Sequence, residues 1–531
     1  RGRRAARLYE RAGERAARSL AFRRASELYA LGRECADDDS TRQRLDVARA
    51  RALGSAGLHR SAADAFEQAL RGRALVASDS ETMTLQRERA EHLLHAGAMR
   101  EGERALETCL RALGLRSRPT RRGLLASILM HQLWLRTLGT RGPRAPSAEP
   151  SRLEQARVDL CFSAALALTN VDTLRGMDFA LCSARRAHTL GDRHRFARSY
   201  ALITAYSGSP GGKARARVSP MIARVCRFAE EFSDPRLRGM AQAAECLLLF
   251  HSGEHAESLA LAEQAETTFR EEAGAPREAT TALIYRCANL ASLGRFEALA
   301  ETRRELLDDS LARHDGFGET HARSGLMNLV WLVDDDPETA EEELRRGMER
   351  WREVEFQFAH FFALLAGSRI DLYRGAPAAC LERLSAASGG LASSLFLRMP
   401  YVRAQISDLH GRAWLALAAQ DSSKSTRRRA LREARREVRR IRGLGAAIHA
   451  PLADVIEAGT TLLLGRESEA RTLLRAALHA FDERGLQGHA FTTTHVLEAL
   501  GDAPARCLPD RDAPKDATRF VCALGLATAG A

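Results

Sequence analysis

Residues 50–69 read Ala-Arg-Ala-Leu-Gly-Ser-Ala-Gly-Leu-His-Arg-Ser-Ala-Ala-Asp-Ala-Phe-Glu-Gln-Ala. Small residues at Ala50, Ala62 and Ala69 let two helices approach closely. Leu53 and Phe66 supply apolar packing, and Gly57 turns the chain between them. The same spacing returns at Ala90, Leu93, Gly97 and Leu106, and at Cys246, Leu249, Gly253, Ser258 and Ala265. It returns again at Ala458, Gly465, Ala470, Leu474 and Ala477. One helical hairpin is thus written several times along the chain.

Gly57 and Gly97 lie 40 residues apart and Gly253 and Gly294 lie 41 apart, within the range of helical repeats. The spacing predicts an all-α fold, a right-handed α-solenoid of tetratricopeptide-like hairpins. Ala, Leu, Arg and Glu dominate, which favours helix, and no β-branched alternation points to sheet. Caps are legible: Asp38 ahead of a helix near Arg42, and Asp234 and Asp336 each before a proline. Pro143, Pro146 and Pro150 predict a linker over 139–152, between a repeat segment at 1–138 and a main array at 153–500. A tail with a short helix follows at 501–531. The chain opens on Arg1 inside a helical pattern, so the expectation is a C-terminal piece of a longer polypeptide.

The net charge is +12, from 80 Lys+Arg against 68 Asp+Glu. Arginines interleaved with Glu, such as Glu341 with Arg345 and Glu342 with Arg346, read as a solvated surface. The ten cysteines contain no C-x-x-C, and Cys109, Cys161, Cys246 and Cys287 sit in apolar helical stretches. This points to a reducing, cytoplasmic setting. No signal peptide or membrane span is expected, because Leu124–Leu135 is too short and carries His131 and Gln132.

Two short patterns imitate chemistry. Ser207–Ala214 resembles a phosphate loop but lacks its first glycine and its Mg²⁺-holding hydroxyl. His251-Ser-Gly-Glu254-His255 has the letters of a zinc peptidase, but Gly253 is a hairpin turn and breaks the required helix. No catalytic, cofactor or metal residue is assigned. Candidate partner contacts are Asp172, Arg175 and Asp178 in an inter-helix corner, with Asn328, Trp331 and Trp351 in an aromatic-rich region. Candidate polyanion contacts are Arg428, Arg432, Arg435, Arg436 and Arg439, on a basic helix at 421–443 whose arginines are expected to surround it.

Several stretches are familiar: Val171–Phe179, Ser207–Arg217, Gly325–Pro337, Phe358–Leu365 with Ile370–Tyr373, and Ala517–Phe520. On them the chain resembles the C-terminal helical region of bacterial, myxobacterial-type Ser/Thr protein kinases fused to a STAND-type predicted ATPase. The resemblance implies a non-catalytic regulatory and protein-interaction module in signal transduction. ATP and Mg²⁺ would belong only to upstream domains, and the partner would be another protein or those domains. The alternatives are a free-standing adaptor and a basic, nucleic-acid-associated transcriptional regulator of the STAND and helical-repeat type. Nucleic acid is the less expected partner.

Overall fold

The computed structural model describes residues 2–71, 80–115, 120–137, 143, 151–168, 172–351, 356–394, 396–421, 423–445, 447–502 and 508–526. Among them are 26 α-helices and no strand, and the helices pack mainly as sequence-adjacent pairs. The fold is therefore all-α. The opening stretch forms helices Asp39–Ser55 and His59–Ala69, with Ala50, Leu53, Ala62, Phe66 and Ala69 buried between them and their neighbours. Turn glycines 57, 97, 253, 294, 375 and 465 all have positive φ.

The capping carboxylates act as read. Asp234 accepts from Arg236 N and Leu237 N, and Asp336 accepts from Thr339 N. Asp38 accepts from Thr41 N, so that helix begins at Asp39, three residues ahead of expectation. One ion pair is rearranged: Glu342 holds Arg346 and also Arg345, while Glu341 reaches the next helix and binds Arg374 at 2.6 Å. The linker expected at 139–152 lies outside the described residues except for 143, 151 and 152, and Arg152 already opens a helix. On its two sides, Met83, Leu110 and Leu124 share one apolar core with Phe162, Leu181 and Phe196.

The array curls until distant hairpins meet edge to edge. Arg23 Nη2 donates to Ala312 O at 3.1 Å, Lys213 Nζ donates to Leu444 O at 2.5 Å, and Gly253 lies against Ile448. The tail helix Ala517–Leu524 returns to the middle of the chain. It packs on helices Phe358–Tyr373 and Gln487–Ala499, with Phe520 buried against Phe296 and Arg519 paired to Asp335. Among the described residues no helix is long and apolar enough to cross a membrane.

Gly253 and Gly465 share a left-handed conformation, with φ of 85° and 76°, but differ in surroundings. A methyl group on Gly253 would overlap Ile448, whereas one on Gly465 meets nothing within 4 Å. Gly465→Ala is expected to cost about 1–2 kcal/mol from backbone strain alone. Gly253→Ala adds about 1–3 kcal/mol of overpacking to that. Urea denaturation of both variants checks the order.

Candidate functional site

Six helical segments, separated by others in the sequence, aim rings at one apolar cavity of about 160 Å³ in the bore of the array. Tyr206 enters from helix Arg193–Ser207 and Phe250 from helix Pro235–Ser252. Tyr285 and Ala288 enter from helix Pro276–Ser292, Phe317 from helix Gly316–Arg323, Phe362 from helix Phe358–Tyr373 and Tyr401 from helix Pro400–Gln420. The rings brace one another, with Phe250 centred 5.5 Å from Tyr285 and 5.7 Å from Tyr401. Such a volume admits a single ring and is too small for a helix about 10 Å across.

The familiar stretches of sequence converge here. Thr173, Ser209, Leu326, Met327, Phe358, Phe361 and Phe362 come from four of them, and all line this cavity. At Gly325, φ is 62° and the N–H donates to Phe362 O at 3.2 Å, which sets Leu326 and Met327 into the wall. An added side chain would press on the Phe362 ring.

Among the polar groups of the wall, which include the Tyr285 and Tyr401 hydroxyls, His251 stands out. His251 Nδ1 is buried with no hydrogen-bond partner among the described residues. Burial, then the neighbouring His255 and His449, holds its pKa down to about 4, so the ring is neutral near pH 7. His255 is engaged elsewhere: its Nδ1 meets Asn289 Oδ1 at 3.0 Å, and Asn289 Nδ2 donates to Ser258 Oγ at 2.9 Å. The helix ends at Ser252 and a new one begins at His255, so the zinc-peptidase letters lack the unbroken helix that chemistry requires. Beyond His251 lies a smaller recess of about 70 Å³ lined by His449, His489 and Arg369.

None of the predicted partner-contact residues lines this cavity, and each makes contacts within the fold. Asp172 caps helix Thr173–Leu190 by accepting from Arg175 N, while Arg175 pairs with Glu103 at 3.0 Å. Asp178 accepts from Ser127 Oγ at 2.5 Å. Together they fasten this helix to the preceding ones. Asn328 donates to Arg323 O and Ala340 O, Trp351 Nε1 donates to buried Thr320 Oγ1, and the Trp331 ring faces Arg303 at 4.8 Å. The aromatics of 331–373 therefore divide: Trp351 and Tyr373 are core, whereas Phe358 and Phe362 line the cavity.

The basic helix, Lys424–Arg442, corrects one expectation. Its arginines do not surround it, because Ala430, Leu431, Ala434, Val438 and Ile441 form a buried apolar stripe. Arg428, Arg432, Arg436 and Arg439 stand exposed on the remaining surface and Arg435 is half-buried. Arg436 pairs weakly with Glu433 at 3.6 Å. Arg439 edges an open groove of about 740 Å³ whose apolar wall includes Leu381, Leu391, Ile406 and Trp414. No family model and no curated protein matches the chain.

His321, at the cavity, and His449, in the smaller recess, are both buried, and burial holds each pKa down to about 4. An unfolded histidine titrates near 6.5, so below that pH the unfolded state takes up protons that the folded state refuses. The stability is fully present above about pH 6.5 and is lost as pH falls toward 4, on the order of 3 kcal/mol per imidazole. Urea midpoints measured from pH 7.5 to 4.5 should fall steeply, and His321→Gln and His449→Gln should each flatten the curve.

Proposed function

We propose that the chain is a regulatory binding module whose bore takes a small, mainly apolar ligand with one hydrogen-bonding group. The observation that carries this reading is the convergence of six helical segments on one ring-lined cavity with an unpartnered His251 Nδ1. Apolar walls supply affinity, and the buried, unpartnered His251 Nδ1 rewards a ligand that satisfies it. The segments meeting there are far apart in sequence, so a ligand that fits only the closed arrangement favours it over more open ones. The array itself we take as a right-handed superhelix of tetratricopeptide-like hairpins, and the module as the sensing end of a kinase–ATPase, on the strength of the resemblance. In that setting closure would be transmitted to attached domains, with no catalysis by this chain.

A second reading rests on the outer groove. Its apolar wall beside Arg403 and Arg439 suits an acidic amphipathic helix of a partner protein, which fits the adaptor alternative. A nucleic-acid role would depend on the exposed arginines of Lys424–Arg442 and would weaken steeply with salt.

The cavity reading is tested by thermal shift with ring-sized ligands bearing one hydroxyl or N–H, such as phenol and indole. A ligand at a hundred times its Kd should stabilise the fold by about 2.7 kcal/mol. Ala288→Leu, which fills the cavity, should weaken binding at least tenfold while leaving the fold intact. Equal binding by this variant would sink the reading.

A further inference from the structure

A second histidine cluster lies far along the chain from this cavity. His92 and His95 stand one turn apart on helix Ser80–His95, so their side chains share a face. His59 opens the facing helix His59–Ala69. One ring nitrogen from each of the three comes within 4.8 Å of the other two, and the Nδ1 atoms of His59 and His92 are 3.1 Å apart. We propose that His59, His92 and His95 form a binding site for one Zn²⁺ ion.

Four features support it. First, nitrogens bound to tetrahedral zinc at about 2.0–2.1 Å stand roughly 3.3 Å from one another, close to the observed Nδ1 pair. Small rotations of His95 bring the third nitrogen in. Second, Nε2 of His95 is buried with no hydrogen-bond partner among the described residues, a place that a metal ion would fill. Third, the His92 ring occupies the space where Gly54 has no side chain, since a Cβ there would crowd Cε1 and Nε2. Fourth, an adjoining cavity of about 340 Å³ leaves room for a water as fourth ligand. Burial favours the neutral imidazole in all three, the form that binds metal.

The surroundings select the metal. Arg51, Arg87, Arg236 and Arg277 line this cavity together with Glu88, Glu91 and Glu278. Arg51 is paired with Glu88, Arg87 with Glu91 and Arg236 with Glu278. Those carboxylates are spent on guanidinium groups, and the residual field is weakly positive. Mg²⁺ and Ca²⁺, which require several oxygen ligands, find none to spare. Zn²⁺ binds imidazole strongly enough to tolerate that field. The site sits where the first hairpins meet residues 273–278.

The test uses the full chain without an affinity tag, stripped with chelator and titrated with Zn²⁺ alone. One ion per chain should bind, Mg²⁺ and Ca²⁺ should not compete, and His95→Gln should weaken binding at least tenfold. His251→Gln, in the other histidine cluster, should leave the affinity within twofold. Loss in His251→Gln with retention in His95→Gln overturns the proposal, as does failure of the parent chain to bind. Should His95→Gln not fold, crystals of the parent chain soaked in Zn²⁺ decide the matter. An anomalous peak among His59, His92 and His95 supports the site, and density showing only a His59–His92 hydrogen bond refutes it.

Discussion

The structure depends on the meeting of hairpin edges that are far apart in the sequence. A stack of helical hairpins needs only its nearest neighbours, and its stability is then a sum of local terms. Here Gly253 lies on Ile448, Gly294 on Gly488, and Gly57 on Arg313. Each contact places a side-chain-free turn against another part of the array. Those meetings convert an open ribbon into a narrow bore, and the bore is what allows rings from six segments to share one cavity. Without them Phe250 and Tyr401 would be exposed aromatics rather than neighbours.

Closure also explains the histidines. A polar ring is tolerated inside a protein when it is neutral and placed by its surroundings. His255 is held through Asn289 and His321 through the Phe317 carbonyl, to which its Nδ1–H donates. His251 and the His59–His92–His95 group depart from that pattern, since each keeps a buried nitrogen with no hydrogen-bond partner among the described residues. Both sets of imidazoles line cavities, where something from outside can reach them.

Much of the architecture was legible because hairpin signals are local. Asp234 before Pro235, Gly253 after Ser252 and Ala458 opposite Ala470 each act within one or two turns of helix. The cavity was legible only as fragments: the stretches at 171–179, 207–217, 325–337 and 358–365 stood out, but their convergence depends on the curl of the array, which no local pattern encodes. The corner Asp172–Asp178 stood out for a different reason, since capping and ion pairing use the same residue types as recognition. His92-x-x-His95 carried a usable signal, two imidazoles on one helical face. The third member, His59, stands 33 residues earlier and could be joined to it only by knowing which hairpins pack. The apolar stripe of Lys424–Arg442 was hidden by arginine density, although Ala430, Ala434, Val438 and Ile441 keep a helical period.

The return of the tail has a consequence for how the chain is made. Lys515 N donates to Val333 O, and Phe520 completes a core begun by Phe296. At about 5–20 residues per second, a ribosome needs roughly 10–40 s to travel between those two partners. Throughout that interval the middle hairpins present an apolar flank with its cover still unsynthesised. The early part of the array can mature as it emerges, but the middle waits for residues 515–520, and its apolar flank is open to chaperones and misassociation during that interval.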